Sequence, residues 1–166
     1  MGSAGKKGIV SVLLFAQWCL LFWGCGIYSF SGSSLPSHIR TVAIPLFEDK
    51  TAEFGIDQQL TDILIDAITQ DNTLKIAGPR SADSILKGTI LRVEDSAGQY
   101  DQDEIASDFR VTITCKVIFE DVKKRKTLWE ETYSRWGSYN DDRNEGIEEA
   151  MEKLSTDILN RTVSGW

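Results

Sequence analysis

One histidine, three cysteines and three prolines are spread over 166 residues. With so few imidazoles and thiols, no cluster has metal-ligand spacing and no C-x-x-C pair exists. Neither a G-x-G-x-x-G turn nor a P-loop is present, so the usual phosphate-cradling nucleotide sites are missing. His38 sits beside Ser37 and close to Pro36, and reads as a solvated linker residue. Asp101, Asp103 and Glu104 lack the residue pattern of a calcium loop and read as a solvated acidic loop. Asp141 and Asp142 precede a helix, where capping accounts for them. Together these absences argue against an enzyme, and imply no cofactor and no metal.

Positive charge is also scarce. Eighteen Lys and Arg face 25 Asp and Glu, for a net charge of −7. A protein this acidic is no generic binder of nucleic acid, whose affinity rests on cations that neutralise phosphates. Any anionic ligand must be met by a local basic patch.

The one long apolar run is near the start. Lys6 and Lys7 precede Gly8 to Trp23, which is almost wholly apolar. At about 1.5 Å per residue this run is short for a helix crossing about 30 Å of hydrocarbon. A basic start, an apolar run and a small residue before a cut describe an export signal over residues 1–24; an uncleaved membrane anchor is the alternative. Removing that segment takes away two lysines and no acids, so the charge goes from −7 to −9. The segment before the cut, Leu20-Leu21-Phe22-Trp23-Gly24-Cys25, resembles a bacterial lipobox. Gly24 fits the small residue before the lipidated cysteine, whereas Phe22 and Trp23 depart from the usual pattern. The resemblance implies acyl chains, palmitate among them, on Cys25. Without an Asp after Cys25 it further implies transfer to the outer membrane, on its periplasmic side. Cys19 leaves with the signal and Cys25 takes lipid, so Cys115 is left alone and no internal disulfide forms.

Residues 25–38 read as lipidated cysteine and flexible tether, rich in Ser and Gly, and residues 39–166 as a single domain. Arg40 to Phe47 is a strand candidate, with Pro45 arguing for an edge or a strand end. Ile56, Leu60, Ile63, Leu64, Ala67 and Ile68 recur at helical spacing, and the helix is entered through Gly55. Leu74 to Ala77 is a short extended piece that Gly78-Pro79 breaks. Residues 83–95 form a long strand, with Gly88 a bulge or a point of close approach. Residues 96–107 read as an acidic turn. From 108 to 120, Phe109, Val111, Ile113, Cys115, Val117 and Phe119 alternate with Arg110, Thr112, Thr114 and Lys116. That is a strand packed on one face and open on the other, with Cys115 an inert buried thiol. Lys123–Lys126 makes a basic turn and residues 127–139 the partner strand. Ile147, Ala150, Met151, Leu154, Ile158 and Leu159 mark a last helix, capped by Asp142 or Asn144.

The order β-α-β-β-β-α gives an α+β two-layer sandwich. Two helices cover one face of a mostly antiparallel four-stranded sheet, and the strand at 40–47 runs parallel to that at 83–95. Two features are left over. Lys123, Lys124, Arg125 and Lys126 are either a solvated hairpin turn or a phosphate site at a hairpin tip. The outward stripe of Arg110, Thr112, Thr114 and Lys116, joined by Lys87, Arg92 and Arg135, is either a wet sheet face or a partner surface.

The tether and first strand (CGIYSFSGSSLPSHIRTVAIPLFEDKT), the helix FGIDQQLTDILIDAI, the segment ADSILKGTI and the closing strand–helix pair resemble the LPS-assembly lipoprotein family of LptE type. The likeness spans about residues 25–166. It implies two helices on a four-stranded sheet and a non-enzymatic outer-membrane lipoprotein. Such a protein pairs 1:1 with the LPS-transport β-barrel, plugs it, and contacts lipopolysaccharide on its way to the cell surface. It also implies that lipid A phosphates meet basic residues near a hairpin tip or sheet edge: Lys123, Lys124, Arg125 and Lys126 first, Arg110 and Lys116 next. TVAIPLFED with its helix and ADSILKGTI also resembles lipoproteins of the curli-secretion and synthase-activator type, which implies a pore subunit or an activator of a peptidoglycan synthase.

Overall fold

The computed structural model describes residues 35–98 and 109–164. The expected signal segment over residues 1–24, Cys25, the start of the expected tether and the acidic cluster of Asp101, Asp103 and Glu104 lie outside the described residues. The elements are β1 (Thr41–Ala43), β2 (Glu48–Asp49), α1 (Ile56–Asp71), β3 (Lys75–Ile76), β4 (Ser84–Ala97), β5 (Phe109–Asp121), β6 (Lys126–Tyr139) and α2 (Arg143–Ser164). They build the expected α+β arrangement of two helices on one open sheet, with six strand segments in place of four. The order is β3-β1-β4-β5-β6, and β2 also pairs with β4.

Pro45 explains one of the two added segments; the other is β3, the short extended piece at Leu74–Ala77. A proline cannot donate to a ladder, and here the strand stops at Ala43 and resumes at Glu48. Both halves pair parallel with β4, Ala43 against Ile85 and Glu48 against Thr89. The expectation of an edge or a strand end at Pro45 holds: β1 stops at Ala43, β3 pairs only with Thr41 and Val42, and β2 beyond the proline pairs with β4. In the gap, the Phe47 N–H donates to Thr61 Oγ1 of α1 at 3.1 Å, and that hydroxyl donates to the Asp57 carbonyl at 2.6 Å. The interruption thus lets one buried helix hydroxyl satisfy a backbone donor that the sheet leaves free.

Phe47 turns into the core against Gly88, where an added Cβ would come within 2.1 Å of the ring. Gly88 is therefore the close-approach point, and the bulge lies further on, between Ile90 and Arg92. A bulge flips the alternation. Before it Leu86 and Ile90 face the helices; after it Val93 does. β4 runs on to Ala97, into the stretch expected to turn, and pairs there with Phe109.

β5 meets β4 on one side and β6 on the other in antiparallel register. Val111, Ile113, Cys115, Val117 and Phe119 are fully buried, as their alternation predicted. Phe109 is the exception: at the sheet's end it stays partly exposed and stacks on Tyr139 with centroids 5.6 Å apart. The helices add Leu60, Leu64 and Ile68 from α1 and Met151, Leu154 and Ile158 from α2 to the same core. α1 begins after Gly55 at φ 75 and ends on Asn72 at φ 61. Asp142 caps α2, its Oδ1 accepting from the Asn144 N–H at 2.9 Å. No helix among the described residues is long and apolar enough to cross a membrane.

Candidate functional site

The hairpin between β5 and β6 ends in a four-residue turn, Val122 to Arg125, closed by Lys126 pairing with Asp121. Lys126 is therefore the first strand residue of β6 rather than part of the turn. Arg125 takes the left-handed region at φ 50. Two carboxylates hold the base of the tip. Asp121 is 1% exposed, and its Oδ1 accepts from the Lys124 N–H at 2.9 Å. Its Oδ2 lies 2.6 Å from His38 Nε2. Burial pushes the Asp121 carboxyl up, but the Lys124 N–H and His38 together pull it below its ordinary range. Asp83 binds the Lys123 ammonium at 2.6 Å and accepts from the Arg40 and Thr41 N–H groups and the Thr41 hydroxyl. The Lys123 ammonium, then those donors, hold Asp83 well below the usual carboxylate range.

His38 is accordingly no solvated linker residue. It sits half-buried against Asp121, and Leu35 packs partly on the core. The chain enters the domain at the hairpin end. Of the four tip cations, only Lys123 has an ion pair among the described residues; Lys124, Arg125 and Lys126 are exposed. Arg125 and Lys126 line a shallow hollow of about 370 Å³ with Ile85, Glu120, Asp121 and Thr127.

The remaining expected site residues lie elsewhere. The outer sheet face gathers Lys87, Arg92, Arg110, Thr112, Thr114 and Lys116, as the alternation predicted. Its lysines are matched by acids: Lys87 pairs with Glu120 and Lys116 with Glu130, each at 2.6 Å. Arg110 is at the far end, about 35 Å from Asp121 at about 3.3 Å per strand residue. Its guanidinium lies 4.3 Å from the Trp136 ring centroid, and its Nε is buried without a hydrogen-bond partner. Arg135 does not join this face. It stands opposite Ile113, on the helix side, where it pairs with Asp157 of α2.

Sequence reasoning missed a fastening at that far end. Arg143 binds Glu53 through Nη1 and Nη2 at 3.0 and 2.8 Å, and Asp95 through Nε at 2.9 Å. Tyr139 donates to the same Asp95 at 3.0 Å. These bonds, with Arg143 first, lower the Asp95 pKa. No local pattern marks such residues, because they meet only in the folded chain.

The Cys115 thiol is pushed up to about 12 by burial, which removes it as a nucleophile or ligand. No group of described His, Cys, Asp and Glu residues is arranged to hold a metal ion. What the surface offers is binding: exposed cations at one tip, and an open sheet face of paired charges.

A family model for lipopolysaccharide-assembly, LptE, matches residues 39–162. No curated protein matches the chain at a significant level. Among solved structures, a hypothetical protein from Chlamydia trachomatis superposes with TM-score 0.58 at 11% identity, over 74% of this chain and 95% of that one. A protein from Xanthomonas campestris gives 0.58 at 12% identity, over 78% and 90%. The PelC dodecamer from Paraburkholderia phytofirmans gives 0.55 at 18% identity, over 80% and 95%. At these identities the likeness is one of fold.

Proposed function

The chain belongs to the LptE lipopolysaccharide-assembly family, and from that membership we propose that it works as a non-enzymatic lipoprotein of the outer membrane. It loses residues 1–24, carries lipid on Cys25, and faces the periplasm. There it pairs 1:1 with the LPS-transport β-barrel, plugs it, and helps deliver lipopolysaccharide to the cell surface. The observation that carries this reading is the family match over residues 39–162, which takes in every element of the fold except the last residues of α2.

The hairpin tip is the proposed contact for lipid A phosphates. Lys124, Arg125 and Lys126 have no ion pair among the described residues, while Asp83 occupies Lys123 and acids occupy Lys87 and Lys116. Unpaired adjacent cations concentrate positive potential, and that local field counts for more than total charge beyond a Debye length of about 8 Å. Lys116 and Arg110 are not grouped with the tip: Glu130 holds Lys116, and Arg110 lies over Trp136 at the far end of β5. The test is LPS binding by the full chain in detergent. Replacing all four of Lys123–Lys126 with Ser weakens binding by about tenfold or more and steepens nothing in the salt dependence. Unaltered binding removes the tip from the reading.

A second reading, a ring-forming envelope subunit, draws on the fold likeness to the PelC dodecamer. What accompanies the chain out of solubilised outer membrane, a large barrel or further copies of itself, separates the two.

A further inference from the structure

The helical layer carries its unpaired charge with one sign only. α1 holds Asp57, Asp62, Asp66 and Asp71 and no lysine or arginine. α2 does have cations, but each is drawn away toward the sheet or its end. Arg143 goes to Glu53 and Asp95. Lys153 binds Glu149 and donates to the Trp136 carbonyl, and Arg161 pairs with Glu131. The side of α2 that meets α1 is left with Glu148 and Glu152.

A groove runs between the two helices in two segments of about 440 and 350 Å³ that share Ile63. Asp62 and Glu148 rim the first over Met151. Asp66 and Glu152 rim the second beside Ala67 and Ser155. None of these four carboxylates has a salt bridge among the described residues. A second observation points to a ligand. Ser155 is 2% exposed, yet its Oγ has no hydrogen-bond partner while it lines the groove. A buried hydroxyl left unsatisfied is unfavourable, and a ligand that supplies the missing partner removes that penalty.

We propose that the groove between α1 and α2 docks a cationic polypeptide segment of a partner protein, with Lys or Arg meeting the rim and small apolar side chains over Ile63, Ala67 and Met151. Charge complementarity selects this occupant. Anionic lipid and phosphate are repelled by the rim, and no three of these acids converge as metal ligands. The groove is thus distinct from the basic tip in place and in sign, and the inference does not depend on what the tip binds.

The probe is a synthetic Lys–Ala repeat peptide, too polar to enter detergent micelles, titrated into the full chain in neutral detergent. The groove variant carries Asp62→Asn, Asp66→Asn, Glu148→Gln and Glu152→Gln. A control variant neutralises the same number of acids on the open sheet face, at Glu48, Glu94, Glu120 and Glu130. The groove variant binds the peptide about tenfold more weakly and the control stays within about twofold of the parent. If the fourfold variant does not fold, Asp66→Asn with Glu152→Gln alone weakens binding by about threefold. Ser155→Ala lowers affinity for the peptide without lowering Tm. Equal weakening by groove and control variants, or a parent chain that does not bind the peptide, overturns the proposal.

Discussion

A methyl group added at Gly137 would stand 2.0 Å from the Gly146 carbonyl oxygen, where the start of α2 crosses β6. At Gly88 the obstacle is the Phe47 ring at 2.1 Å, a side chain held on all sides by core. Backbone yields less than a ring. Gly137→Ala therefore costs about 3 kcal/mol in chemical denaturation, and Gly88→Ala less, about 1–2 kcal/mol. The alternation of β5 announced Cys115 as buried, and the fold adds the consequence: its thiol resists alkylation at pH 8 in the native chain and reacts once denaturant is added. Asp83 and Asp121 give the tip its acid sensitivity. Both have folded pKa values below the ordinary 3.8, so their contribution is complete above that value and is lost as pH falls through the lower folded values. Asp83→Asn lowers Tm at neutral pH and flattens the fall of Tm below pH 3.8. An unchanged acid limb would show that these bonds do not form in solution. Neither aspartate was legible as special in the sequence, because their partners stand 42 and 83 residues away.

At the scale of elements, period decided what could be read. β5 alternates over its whole length, so its core face was evident apart from Phe109, whose place at the sheet end no alternation records. Both helices show one apolar stripe, and both were placed within a few residues. The first strand was harder. Thr41 to Ala43 reads as a strand and Glu48–Asp49 does not, since only pairing with Thr89 and Ile90 makes it one. The bulge after Ile90 was likewise invisible, because a shift of phase in so short a run mimics ordinary irregularity. Tertiary bonds fix the end that local pattern leaves open. Arg143 ties the loop before α1, the end of β4 and the start of α2 through Glu53 and Asp95. As these groups are about one-third exposed, solvent screening limits their value. Arg143→Met costs about 1 kcal/mol and raises amide exchange first in residues 50–55 and 93–97.

For the whole molecule, charge is sorted by surface. Exposed cations cluster at the hairpin tip, the open sheet face pairs its lysines with acids, and the helical layer is acidic. The chain enters the domain beside the tip, where His38 meets Asp121. The two-layer fold was legible in the sequence because patterning decides layer architecture; TVAIPLFED, its helix and ADSILKGTI fit two lipoprotein families, and the family match over residues 39–162 decides between them. The sites were only half legible. The tip run was plain, but which of its cations are free depends on Asp83, and Arg135 was misplaced because β6 does not alternate cleanly enough to tell its faces apart. The acidic inter-helix groove needed two helices side by side before it existed. The central claim, partnership with the LPS-transport barrel, is tested most directly by native mass spectrometry of the tagged full chain released from outer membrane in mild detergent. The account predicts one dominant species containing one copy of this chain, with lipid on Cys25, and one large β-barrel protein. A ring of this chain alone, or a lipid-free chain without a barrel, would contradict it.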